Sequence, residues 1–311
     1  EAFGPESERT RAVALWNARW LASGYRFAGA ERYFDLAELR VAGTPELDDP
    51  ITLAASVERI ATLVGEGKLA KAEVDLRAAG PQIARLDAGA DKIRKLFMRQ
   101  FSQVLTLRGK PDEAIELLEQ TGRDDLSDRV RERLLAWSLG HAGQTTESES
   151  LFASLLELEQ IQPGPKFREI FLRLYHADVL LSRGEYDAAA NEAVIAIDEY
   201  DANGFQNDPD RLWGRMLAGR AWIELGELDR ARGALQEADS LSELFPEYRL
   251  RLPELRYAQA KLALAEGDRA RAGVRVQEAI TLGGEVFGES HALVESMRSW
   301  RKSAIDDDGS S

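Results

Sequence analysis

The sequence predicts an all-α solenoid of about seven antiparallel helix pairs followed by a C-terminal capping helix. Three observations predict it. A string of the form Gly-x-[Tyr/Leu]-x-x-Ala-x-x-x-[large]-x-x-Ala returns along most of the chain. Its glycines, at positions 67, 109, 143, 184, 226 and 267, are 42, 34, 41, 42 and 41 residues apart. An apolar residue stands four positions before each glycine, and a small residue stands seven positions before five of the six.

The first helix of each unit is predicted to end at the repeated glycine. Ala177 and Leu180, ahead of Gly184, are three residues apart and therefore share one helical face. Glycine adopts the left-handed C-cap conformation without steric cost, so it ends this helix. In the first unit the glycine is displaced to Gly24.

The residues after each glycine predict a second helix that packs against the first. Ala231 and Ala238 are seven residues apart on one face, where only a methyl group fits between closely packed backbones. The unit around Thr145 and Ser148 has lost its signature alanines, and we expect irregular packing there. A lone pair cannot bury its apolar face, and stacking of neighbouring pairs buries it.

Prolines and glycines between the units separate the repeats without isolating a second domain. We expect a single domain over residues 1–305 and a polar tail over 306–311. The predicted repeats lie at 7–42, 50–86, 91–122, 124–160, 166–202, 209–243 and 248–283, with a cap at 289–304.

This pattern resembles the tetratricopeptide-repeat superfamily, whose second helices carry the same glycine and alanine string. The longer spacings are similar to the repeats of kinesin light chains, and Phe3-Gly4-Pro5-Glu6-Ser7 is similar to the linker that precedes a first helix there. We therefore expect an earlier helix pair, or its remnant, upstream of Glu1. The resemblance implies a right-handed superhelix. It also implies the regulatory or sensory part of a bacterial signalling protein, beside a kinase or a transcription regulator.

Composition narrows the classes of partner. The chain has 54 Asp and Glu against 40 Lys and Arg, a net charge of −14, which opposes binding to a nucleic-acid backbone. No run of eighteen apolar residues predicts a membrane span. The absence of cysteine excludes disulfides and thiolate chemistry. The cytoplasm is slightly favoured as the compartment, and the periplasm stays open.

Motifs for catalysis are missing. The three histidines, His141, His176 and His291, show no metal-ligand spacing, and neither a phosphate-binding loop nor a Gly-x-Ser-x-Gly elbow occurs. We therefore expect no enzyme activity, no metal and no cofactor.

The resemblance implies that first-helix residues roughly 13, 10, 6 and 2–3 positions before the glycine line a concave wall. The binding candidates at these positions are Arg99, Gln103, Arg133, Trp137, Asp178, Trp213, Met216, Arg220, Tyr257 and Lys261. Arginines and aromatic residues are enriched in protein interfaces, and arginines hold carboxylates with two hydrogen bonds. An equally open alternative is that Trp137 and Trp213 fill gaps between adjacent helices.

The leading functional hypothesis is a non-catalytic scaffold that binds a protein or peptide. The alternative is a small-ligand sensor whose superhelix closes on a metabolite. A third possibility is an array that only dimerises or spaces domains.

Overall fold

The computed structural model describes residues 7–38, 50–86, 91–120, 128–205 and 208–306. Within these ranges the chain forms fifteen α helices and a final π-helical turn, without a strand. None of these helices is both long and apolar enough to cross a membrane. The linker motif predicted at residues 3–6 and the tail residues 307–311 lie outside the described residues.

The helices form seven successive antiparallel pairs, α1–α2 to α13–α14, and α15 packs on the last pair, as predicted. Their bounds are α1 Glu8–Ser23, α2 Phe27–Ala37, α3 Pro50–Gly65, α4 Leu69–Ala84, α5 Asp91–Leu107, α6 Pro111–Glu119, α7 Arg129–His141, α8 Thr145–Ile161, α9 Lys166–Ser182, α10 Tyr186–Ala202, α11 Asp210–Glu224, α12 Leu228–Leu244, α13 Leu252–Ala265, α14 Arg269–Val286 and α15 Ala292–Arg301. The π-helical turn covers Lys302–Asp306.

The turn inside each pair follows the glycine prediction, with one exception. All six repeated glycines have positive φ, as at Gly226 with φ 76°. In the first pair the left-handed residue is Tyr25, with φ 57°, while Gly24 has φ −92°. The prediction that Gly24 serves as the repeated glycine of this pair was therefore wrong. The Tyr25 hydroxyl donates to Asp210 and its ring meets Tyr248, and these contacts offset the strain of a side chain in this conformation.

Small residues allow the two helices of each pair to approach closely. Ala231 and Ala238 are fully buried, as are Ala189 and Ala193 in the fifth pair. Ser148, which replaces an alanine, is also fully buried, and its hydroxyl donates to the Ala136 carbonyl at 2.7 Å. The hydroxyl is thereby satisfied, so serine is tolerated at a position where an unpaired polar group would destabilise the fold.

The superhelix closes on itself, because its first pairs contact the linkers of its last pairs. The backbone amides of Arg249 and Leu250 donate to the Gly65 carbonyl at 2.7 and 3.1 Å. Farther along, Arg108 hydrogen-bonds the Phe287 carbonyl. These contacts enclose the concave side formed by the first helices.

Candidate functional site

A row of aromatic rings from successive first helices lies inside the superhelix. The ring centroids of Trp137 on α7 and Tyr175 on α9 are 4.9 Å apart, and Tyr175 and Trp213 on α11 are 5.0 Å apart. Both contacts are edge-to-face, the favoured geometry for aromatic pairs. The guanidinium carbon of Arg251 is 4.1 Å from the Trp213 ring centroid and extends the row.

Arg133 reaches this row as a cation without an ionic partner. Its guanidinium carbon is 5.0 Å from the Tyr175 ring centroid and 5.4 Å from that of Phe171. Across the described residues no carboxylate pairs with it, and its Nε has no hydrogen-bond partner. Burial lowers the pKa of Arg133. The rings stabilise the cation only in part, and an anion would complete the site.

The other predicted cations are already paired. Arg99 is paired with Asp128 at the start of α7. Arg220 contacts Glu254 at 3.3 Å, and the Lys261 ammonium contacts Glu224 at 2.6 Å. These pairs link neighbouring first helices, so each of these cations also has a role within the fold.

Four of the predicted residues are buried in helix packing. Trp137 and Trp213 are each 2% exposed and Met216 is fully buried. Asp178 accepts hydrogen bonds from Trp137 Nε1 at 2.9 Å and pairs with His141 at 3.0 Å. Burial opposes ionisation, yet these two partners hold the pKa of Asp178 below its usual range. This packing favours the gap-filling interpretation of both tryptophans.

A separate small pocket brings together the candidates on α11 and α13. It has a volume of about 120 Å³, and Arg220, Tyr257 and Lys261 line it together with Glu224. The Lys261 ammonium is 5.6 Å from the Tyr257 ring centroid, and the ring of Trp300 on α15 contacts Tyr257 edge-to-face with centroids 5.6 Å apart. The pocket is about the size of a few water molecules, so it suits one side chain rather than a whole ligand.

A second cavity, of about 530 Å³, lies where the superhelix closes. Residues from α1, α3 and α5 form one wall, and Asp210, Tyr248 and Leu250 form the other. Gln103 lines the cavity, and its amide donates to the Tyr175 hydroxyl at 3.1 Å. Tyr175 therefore connects the cavity wall to Arg133.

Asp210 is a partly buried acidic group that lines this cavity. It accepts hydrogen bonds from the hydroxyls of Tyr25 at 2.7 Å and Tyr248 at 2.9 Å. Burial raises the pKa of Asp210, although the two tyrosine hydrogen bonds act in the opposite direction. The cavity thus offers hydrogen-bond donors and acceptors together with apolar wall atoms.

Solved structures of helical-repeat proteins match almost the whole chain. NprR in complex with its cognate peptide NprX is 13% identical, with a TM-score of 0.61, and the match covers 97% of this chain and 86% of that one. A Rap protein complexed with Competence and Sporulation Factor is 12% identical, with a TM-score of 0.57 and coverage of 96% and 99%. A tetratricopeptide repeat protein from Parabacteroides merdae is 15% identical, with a TM-score of 0.54 and coverage of 94% and 98%.

The chain has a tetratricopeptide-repeat fold. At these identities the likeness concerns the fold alone. No protein-family model matches the sequence, and no curated protein matches it either.

Several residues of this tetratricopeptide-repeat interior could not be read from the repeat pattern. Asp210, Tyr248 and Arg251 lie at or before the starts of α11 and α13, outside the concave positions counted back from each glycine. Asp210 and Tyr248 meet residues of the first pairs because the superhelix closes, which is a long-range property. Arg251 reaches Trp213 across the contact between two neighbouring pairs. No group of three or more potential ligands able to hold a metal occurs in the part of the chain that the structure describes.

Proposed function

We propose that the chain is a non-catalytic scaffold that binds a peptide or protein segment inside its superhelix, with a carboxylate of the partner pairing with Arg133. The observation that carries the proposal is the unpaired guanidinium of Arg133 on the rings of Tyr175 and Phe171. Arg133 is partly buried and no carboxylate forms an ion pair with it, although the charges of Glu159 and Asp210 act on it from farther away. Partial burial of an unpaired charge is costly, and a carboxylate fits the planar guanidinium with two hydrogen bonds.

The solved structures that are similar to this chain support a peptide as the ligand. NprR was solved with a peptide and the Rap protein with a factor, and both share this fold over nearly the full chain. From the resemblance of the repeats, we further propose that the array is the regulatory or sensory part of a larger bacterial signalling protein, beside a kinase or a transcription regulator, with the cytoplasm favoured over the periplasm. Fold alone assigns no partner, so the carboxylate chemistry of Arg133 is the more specific guide.

The experiment compares two arginines in the same chain. Peptides selected from a random library with free carboxyl termini are titrated against the wild type, Arg133→Gln and Arg220→Gln. Loss of a charge-assisted hydrogen bond costs about 1.5–3 kcal/mol, so Arg133→Gln should weaken binding by about 10- to 150-fold. Arg220, which pairs with Glu254, serves as the matched control and should change binding less than about threefold.

Two results would contradict this function. One is equal loss of affinity in both variants. The other is unchanged binding when the carboxylates of a selected peptide are replaced by amides. Circular dichroism of each variant verifies that the helices are retained.

The second candidate is a small-ligand sensor, which the cavity of about 530 Å³ favours. This volume lies within the range of about 300–1,000 Å³ typical of small-molecule sites. Titration of the intrinsic tryptophan fluorescence with single carboxylate metabolites distinguishes the two functions. A saturable response to a metabolite that also displaces the selected peptides would favour the sensor.

A further inference from the structure

Helix α1 carries an apolar stripe that is open to solvent. Val13, Trp16 and Trp20 are 59%, 63% and 60% exposed. They are three, four and seven residues apart and therefore lie on one helical face. Scattered exposed apolar residues are ordinary, but two adjacent tryptophans with a valine form a contiguous patch.

The register of the repeat identifies what this stripe is. Trp20, Trp16 and Val13 lie 5, 9 and 12 positions before the left-handed residue Tyr25. In the six later first helices, the equivalents of Trp20 and of Val13 are buried. The equivalents of Trp20, 5 positions before the left-handed glycine, are Thr62, Val104, Ser138, Val179, Ala221 and Leu262. The equivalents of Val13, 12 positions before it, are Ala55, Phe97, Arg131, Leu172, Gly214 and Leu255.

The preceding pair covers these positions in the later repeats. Val179 of α9 packs against Gly140 of α7. Gly214 of α11 packs against Ile197 of α10 and Leu174 of α9, so both helices of the preceding pair take part. At the positions of Val13 and Trp20, the stripe on α1 is thus the face that the later first helices bury. At the position of Trp16 this holds for α7, α9, α11 and α13, where the equivalents are buried.

We propose that Val13, Trp16 and Trp20 form a docking face for a helix pair of the same repeat class, packed on α1 from the side opposite α3. The face continues the six repeat interfaces in register and residue position. Gly140, Ile197 and Leu174 cover the equivalents Val179 and Gly214, whereas Thr106 and the Leu118 carbonyl cover the polar equivalents Ser138 and Arg131. Because the stripe on α1 is apolar, its occupant presents glycine and aliphatic side chains, as in the two apolar cases. The face lies outside the superhelix interior, and the proposal is independent of peptide binding there.

A second copy of the chain is a poorer occupant. The other end of the array is closed, because Val294 and Met297 of α15 are buried against Ala260 and Val276. Head-to-tail stacking would therefore bring the solvent side of α15, which carries the exposed Glu295, onto the tryptophans. The net charge of −14 also opposes self-association.

The test adds a defined helix pair to the full chain. A copy of residues 166–207 replaces residues 1–6 and is joined directly to Ser7. Ser7 precedes Tyr25 by 18 positions, as Asp208 precedes Gly226, so the fusion keeps the natural repeat spacing. Docking should shift the tryptophan emission to shorter wavelength and roughly halve acrylamide quenching. It should also protect the added pair from limited proteolysis by tenfold or more.

Matched variants locate the effect. In the fusion, Trp16→Glu with Trp20→Glu should restore rapid cleavage of the added pair. Val74→Glu, at a side chain of α4 that is 66% exposed, is the control and should leave the added pair protected from proteolysis. Equal cleavage of the added pair with native and substituted tryptophans would overturn the proposal. So would a stable dimer of the unfused chain, seen by sedimentation equilibrium and abolished by Trp16→Glu, since a second copy would then occupy the face.

Discussion

The first and sixth helix pairs are the same repeat unit in two different surroundings. Within each pair the packing is alike, since Ala30 and Ala231, each five positions after the left-handed residue, are both fully buried. The outer face of the first helix differs. Leu217 of α11 is fully buried, whereas its equivalent in α1, Trp16, is 63% exposed. The repeat sequence therefore sets the contact inside a pair, while burial between pairs depends on the neighbour.

The strongest test of this comparison truncates the two equivalent side chains. Leu217→Ala should lower the free energy of unfolding by about 2–5 kcal/mol, because it leaves a cavity between pairs. Trp16→Ala should change it by less than about 0.5 kcal/mol, as expected at an exposed position. Denaturant titration followed by circular dichroism measures both. A loss at Trp16 as large as that at Leu217 would mean that α1 is already covered in the isolated chain.

The contact inside the pair can be tested by enlarging the shared alanine. Ala231→Leu and Ala30→Leu should each cost about 1–3 kcal/mol, because a larger side chain overpacks a close helix crossing. Ala12→Leu, at an exposed position of α1, is the control and should be nearly neutral. Similar costs at both buried alanines would support the view that pair packing is independent of position in the array. A free energy of unfolding unchanged by either substitution would show that the crossing is not tight.

The repeat period made the fold predictable, because each glycine and each alanine has one local task. Gly226 ends α11 and Ala231 permits close approach of α12, and both tasks depend on residues only a few positions apart. Tyr25 is the instructive exception. Its left-handed backbone depends on Asp210 and Tyr248, which lie far along the sequence and meet it only when the superhelix closes.

The candidate site was predictable only in part for the same reason. Counting from the glycines selected Arg133 and Gln103, which do reach the interior. The count could not show that Arg99 has a partner in Asp128 while Arg133 lacks one, since pairing depends on side-chain contacts between neighbouring repeats. Nor could it place Arg251, which follows the linker between two pairs.

The contact between the first and sixth pairs should depend on pH through Asp208. Burial, followed by the charge of Asp210, raises the pKa of Asp208 to about 6 from 3.8. A carboxyl with a raised pKa in the folded state binds its proton more tightly there than in the unfolded chain. Its contribution to stability is therefore complete below about pH 4 and is lost as pH rises through about 6. Because Asp208 is partly exposed, we expect this loss in the free energy of unfolding to be about 1 kcal/mol.

The measurement compares the wild type with Asp208→Asn between about pH 4 and pH 8. The difference in free energy of unfolding between the two proteins should change over this range, with the wild type losing stability relative to the variant as pH rises. Asp229→Asn, at a side chain that is 95% exposed, is the control and should show no such trend. Parallel pH profiles for the wild type and Asp208→Asn would contradict the assignment.

The smallest effect concerns the turn that Gly226 makes in the sixth pair and Tyr25 makes in the first. Gly226 has φ 76°, and a Cβ there would meet no other atom within 4 Å, so Gly226→Ala adds backbone strain without a clash. We expect a loss of about 1 kcal/mol. Gly233, inside α12, also has open space around it, and Gly233→Ala should stabilise the chain by about 0.5–1 kcal/mol.

Both substitutions add one methyl group. If they change the free energy of unfolding in opposite directions, the backbone conformation at each glycine is the cause. Urea titration of both variants measures the pair. The same sign for both would mean that the left-handed turn is not strained by a side chain. In that case the left-handed backbone of Tyr25 would not be strained. The whole free energy of its contacts with Asp210 and Tyr248 would then stabilise the closed superhelix.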